Sequence, residues 1–80
     1  MVKILVVDDE EDICEILQFN LKSEGYAVDV AYSAEEALRV LTPEHHLILL
    51  DVMMENMSGY QMADILRNER HRHNNTPIIF

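Results

Sequence analysis

The chain reads as an α/β domain with an open parallel sheet in the order βαβαβαβ. Short apolar segments recur along it, stretches with a helical period separate them, and two apolar segments run directly into aspartates. Repeated strand–helix alternation at this spacing indicates a parallel sheet joined by helical crossovers.

The elements follow in order. Val2 to Val7 is an apolar, β-branched run ending in acids, which suits a strand covered on both faces. From Asp9 to Glu24, Ile13, Ile16, Leu17 and Leu21 fall on one face of a helix. Glu10, Glu11 and Asp12 favour its N-terminal end through the helix dipole, and Gly25 is a natural stop. Ala27 to Tyr32 forms a second strand. Ser33 and Glu36 make a capping box for a helix that turns Ala34, Ala37, Leu38 and Leu41 inward and ends at Thr42-Pro43. Leu47 to Leu50 is a third strand, apolar throughout, leading straight into Asp51. After a Met-rich loop, Ser58 and Gln61 cap a third helix running through Met62, Ile65 and Leu66 to about Arg70. A polar loop, His71 to Asn75, precedes a fourth strand from Thr76 to Phe80.

Length and charge narrow the function classes. Eighty residues make one domain, expected to span 1–80 with no second domain. A chain this short buries only about 60–65% of the surface its unfolded form exposes. The net charge of −9, from 15 acids and 6 bases, argues against a grip on nucleic acid or on anionic membrane surfaces. It suits cations or basic partner surfaces. The one cysteine, Cys14, permits no disulfide within the chain and reads as a small packing residue. Neither a signal-peptide layout nor an apolar run of membrane-spanning length is present, so a cytoplasmic location is expected.

The chemistry concentrates in acids at strand ends. Asp8 and Asp9 follow the first strand, and Asp51 follows the third. Ligands of open parallel sheets sit beyond the carboxyl ends of the strands where strand order reverses, so adjacency of strands one and three would bring the three carboxylates together. Crowded carboxylates raise one another's pKa, and a hard divalent ion such as Mg²⁺ relieves that cost. A carboxylate beside the ion could attack phosphorus and form an acyl phosphate. The competing reading makes Asp8 or Asp9 a helix cap and Asp51 a plain strand end.

Val7-Asp8-Asp9-Glu10, Leu49-Leu50-Asp51-Val52-Met53-Met54 and Met57-Ser58-Gly59 together resemble the receiver domains of bacterial two-component response regulators, and the match runs through all 80 residues. The resemblance implies a flavodoxin-like (βα)5 receiver fold, represented here up to its fourth strand. It implies that Asp51 is the phosphoacceptor, fed by a phosphohistidine on a sensor histidine kinase. Asp8 and Asp9 would hold Mg²⁺ with Asp51 and the backbone carbonyl of Met53. Such a domain assists its own phosphotransfer and dephosphorylation rather than working as a turnover enzyme. Two departures stand out. Glu55 occupies a position usually held by Pro, and the positions where the family carries the Ser/Thr and Lys that bind phosphoryl oxygens would come after Phe80, so neither is present here.

The absence of the usual last third predicts a bare sheet edge and face, hence a homo-oligomer or swapped dimer. It also motivates an alternative in which the chain is only a dimerisation or protein-interaction module. A Mg²⁺-dependent phosphatase is disfavoured, because a proton-transferring Asp would be needed where Met53 stands. His45-His46 and His71-Arg72-His73 match no standard zinc spacing and read as solvated loop residues. Arg67, Arg70 and Arg72 give the third helix a basic end that suits its dipole.

Overall fold

A computed structural model describes residues 1–54, 57–68 and 76–80. Seven elements alternate as expected: β1 (Lys3–Val7), α1 (Glu11–Ser23), β2 (Ala27–Ala31), α2 (Ala34–Val40), β3 (Leu47–Leu50), α3 (Gly59–Leu66) and β4 (Ile78–Ile79). Glu55, Arg70 and the His71 to His73 cluster lie outside the described residues.

The strands form one sheet in the order β2-β1-β3-β4. Every pairing is parallel. β1 is the hub, with Val7 opposite both Ala31 of β2 and Leu50 of β3. Side chains alternate across the sheet, so two cores form. On one face Leu5, Val7, Ile48 and Leu50 pack with Ala34, Ala37 and Leu41 after α2, and with Met62 and Leu66 of α3. On the other, Ile4, Val6 and Val28 pack with Cys14, Leu17 and Leu21 of α1. β3 is less enclosed than its composition suggests, since Leu47 and Leu49 on the α1 face are only half-buried.

The helix boundaries follow local chemistry. α1 ends as Gly25 predicts: Gly25 takes φ 95°, its amide donates to the Lys22 carbonyl, and the Tyr26 amide donates to Leu21. That pair of bonds is a Schellman ending. Ser33 Oγ accepts from the Glu36 amide at the start of α2. Ser58 and Gln61 complete a reciprocal capping box at α3. Arg67 differs from expectation. Rather than only facing the helix dipole, it reaches across to donate to the Thr76 carbonyl at 2.8 Å, tying the end of α3 to the approach to β4.

Two readings are corrected. The buried stripe of α1 is Cys14, Leu17 and Leu21, whereas Ile16 is 60% exposed and Ile13 38%. The inward face is rotated by about one residue from the most apolar one, because the small thiol fits against the sheet and the loop after β1. His45 is not solvated: it is 3% exposed. Its Nδ1 accepts from the Thr42 amide at 3.0 Å, leaving Nε2 to donate to Asp29 Oδ2 at 2.8 Å. A buried polar ring needs such partners. The hydrogen bond from His45 holds the Asp29 carboxyl below its ordinary range, helped by Lys3, whose Nζ lies 3.3 Å away. The stabilisation from ionised Asp29 is therefore present above the unfolded carboxylate range and fades as pH falls through the lowered value.

The two glycines make a contrast that denaturation can read. A Cβ at Gly59 would overlap the Asp51 carbonyl oxygen and lie 2.8 Å from Val52 Cα, whereas one at Gly25 would meet nothing within 4 Å. Gly59→Ala is expected to destabilise by about 1–3 kcal/mol through overpacking against backbone. Gly25→Ala should cost roughly 1–2 kcal/mol for the left-handed conformation alone, and Gly25→Asn less. Urea midpoints for the three variants check the order.

Candidate metal and phosphoacceptor site

The register of β1 with its neighbours builds the site. Asp8 leaves β1 and keeps the sheet pattern for one more residue, its amide donating to the Ala31 carbonyl at 3.1 Å. Asp51 leaves β3 with its amide donating to the Val7 carbonyl at 2.9 Å. Both chains then turn away, and their side chains share the open end of the sheet. One carboxylate oxygen from each of Asp8, Asp9 and Asp51 lies within 4.8 Å of the other two. The sequence expected this convergence.

Neither Asp8 nor Asp9 caps α1 in the usual way. The N-cap is Glu10, which makes no side-chain capping bond. Asp8 instead accepts the Glu10 amide on Oδ1 at 2.9 Å, a tight turn that fixes its carboxylate. Asp51 Oδ1 accepts the Met53 amide at 3.1 Å. These bonds engage one oxygen of each carboxylate, the Asp8 and Asp51 side chains also lie within hydrogen-bonding reach of each other, and Asp9 is exposed.

The electrostatics match the crowding. Partial burial pushes the Asp8 carboxyl up, the Glu10 amide partly offsets this, and the nearby charges of Asp51 and Asp9 push it further. The donor set is all oxygen, hard and negative. That fits Mg²⁺ and disfavours softer ions that prefer sulfur or imidazole. Met53 is close through its amide, and its side chain is 80% exposed beside the site. A cavity of about 300 Å³ adjoins the carboxylates, with Asp8 and Asp51 on its wall and Leu17, Leu49 and Ile79 among its apolar lining.

Two contributors were not legible in the sequence. Gly59 lets the start of α3 lie directly on the Asp51–Val52 peptide, and its amide donates to Val52 at 3.3 Å. The available signal was a glycine opening a helix, where its conformational freedom is costly. Cys14 touches the Asp8 main chain, and no local signal announces that.

Comparison with known proteins agrees with this geometry. The model of the response regulator receiver domain family matches residues 4–80. The alkaline phosphatase synthesis transcriptional regulatory protein PhoP of Bacillus subtilis is 46% identical over 69 residues, covering 85% of this chain and 29% of that protein. The transcriptional regulatory protein DltR of Streptococcus agalactiae is 39% identical over 79 residues, or 98% of this chain and 34% of that protein. The chain thus spans about a third of these curated relatives. Among solved structures, Vibrio cholerae chemotaxis protein CheY4 superposes with a TM-score of 0.89 at 32% identity, covering 98% of this chain and 65% of that one. Thermotoga maritima TrrA, solved in complex with Mg(2+)-BeF, gives 0.79 at 40% identity, covering 88% of this chain and 62% of that one. With a family match over nearly its whole length and a strand order that places the acids where that family's fold would, this chain belongs to the response regulator receiver domains of two-component signalling.

Proposed function

We propose that Asp51 accepts a phosphoryl group from a phosphohistidine on a sensor histidine kinase, and that the resulting acyl phosphate switches a signalling output. The observation that carries this reading is the gathering of Asp8, Asp9 and Asp51 within 4.8 Å at the ends of adjacent parallel strands. Asp8, Asp9, Asp51 and the Met53 carbonyl would hold Mg²⁺, which when bound neutralises charge on the incoming phosphoryl oxygens. An Asp51 oxygen attacks phosphorus as the bond to the donor imidazole breaks, and the electron pair of that bond leaves with the imidazole nitrogen. The Met53 amide, already bonded to Asp51 Oδ1, orients the nucleophile and leaves Oδ2 for attack. Ile16 and Phe19 stand exposed on α1 among acids, offering the donor protein an apolar contact with a negative rim. Among the described residues no helix is long and apolar enough to cross a membrane.

A second property has its own support. The outer side of β4 is unpaired among the described residues, and Ile79 and Phe80 beside it are 53% and 60% exposed. An open apolar edge favours pairing with another chain. We propose that residues 1–80 on their own self-associate. Light scattering after gel filtration should give a mass above that of one chain, and a monodisperse 9.3 kDa species would overturn this.

Two further outcomes test the main reading. With Mg²⁺ and acetyl phosphate, the unsubstituted protein should gain the mass of one phosphoryl group, lost on brief hydroxylamine treatment, whereas Asp51→Ala should gain none. Equal labelling of both would exclude Asp51 as acceptor. Asp8 offers a stability readout. Its folded-state carboxyl titrates above the unfolded value, so its protonation favours folding and its ionised form opposes folding as pH rises through that window. Without Mg²⁺ at neutral pH, Asp8→Asn should raise the melting temperature. Added Mg²⁺ should stabilise the unsubstituted protein more than this variant, because only binding to the folded state shifts the transition.

A further inference from the structure

We propose that Cys14 is a positioning residue for the Mg²⁺ site, its thiol donating to the Asp8 main-chain carbonyl and so fixing the direction of the Asp8 side chain. The proposal rests on the Mg²⁺-dependent reading above. Cys14 lies in the first turns of α1 and is 1% exposed. Its Sγ is 3.3 Å from the Asp8 oxygen. No other donor to that carbonyl is found among the described residues. Three bonds then close a ring: the Glu10 amide donates to Asp8 Oδ1, the Cys14 amide donates to the Glu10 carbonyl, and the Cys14 thiol donates to the Asp8 carbonyl. With the Asp8 amide held by Ala31, both peptide groups flanking the Asp8 side chain are anchored. The carboxylate thus starts from a fixed Cα–Cβ direction beside Asp51 and Asp9.

The thiol is suited to this task. It is buried, and an ordinary thiol keeps its proton at neutral pH, so it can donate. A hydroxyl could make the same bond from this position. A valine would fill the same space without a donor. Groups that orient metal ligands affect affinity although they never touch the metal.

The test separates positioning from packing. Full chains carrying Cys14→Ser, Cys14→Val and Cys14→Ala are titrated with MgCl2 at constant ionic strength. The amide resonances of Asp9 and Asp51 report Kd, and urea midpoints are recorded in parallel. Cys14→Ser is expected to hold the Mg²⁺ Kd within about two-fold of the unsubstituted chain even where its midpoint falls. Cys14→Val should weaken Mg²⁺ about ten-fold, the low end of the range for partners of metal ligands, even where its midpoint holds. Cys14→Ala should lose in both. A Val variant with unchanged Kd, or affinities that simply follow the midpoints across the series, would overturn the proposal. Absence of Mg²⁺ binding by the unsubstituted chain would overturn the metal reading itself, and this proposal with it.

Discussion

The placement of β1 between β2 and β3, in parallel and in register, is the constraint on which everything else depends. Val7 sits level with Ala31 and Leu50, so the chain emerges from β1 and β3 at the same height and on the same side of the sheet. The amides of Asp8 and Asp51 still take part in the sheet pattern, which leaves their side chains little freedom to drift. A slip of one residue would turn every side chain of a strand to the opposite face and part the two aspartates. The apolar alternation that fills the two cores therefore also fixes the acidic cluster, and packing and chemistry share one register.

The cluster works against the fold that holds it. Three carboxylates in one small space repel one another, and Asp8, raised in pKa chiefly by partial burial, is pushed further up by the charges of Asp51 and Asp9. The cost is tolerated because Leu5, Val6, Val7 and Ile48 lie beneath in a fully buried core. Anything that binds the folded chain and neutralises this charge would relieve the repulsion and raise stability. Gly59 lets the α3 backbone rest directly on the peptide that follows Asp51.

Much of this was written locally in the sequence. Four apolar runs gave the strands, Gly25 gave the end of α1, and Ser58 with Gln61 gave the start of α3. Aspartates placed directly after strands one and three announced the acidic cluster. What stayed hidden depended on partners distant in sequence. Ile13 and Ile16 outrank Cys14 in hydropathy, yet the helix turns the thiol inward, because a neighbouring stripe with the same period fits the sheet and the Asp8 loop better. His45 lies in a connection, where polar residues usually meet water. Only the fold reveals that Asp29, in the middle of β2, waits beneath it.

That histidine gives the molecule two chemically distinct ends. Lys3, Asp29 and His45 join the start of β1, the middle of β2 and the approach to β3, while the aspartates crowd at the carboxyl ends. Lys3 stands a strand's length, roughly 16 Å, from the aspartates, whereas Asp29, level with Leu5, is nearer to them. The basal clasp shares no hydrogen-bond partner with the aspartates, so substitutions in it act first on the joining of the strands, and those among the aspartates act first on the charge gathered there.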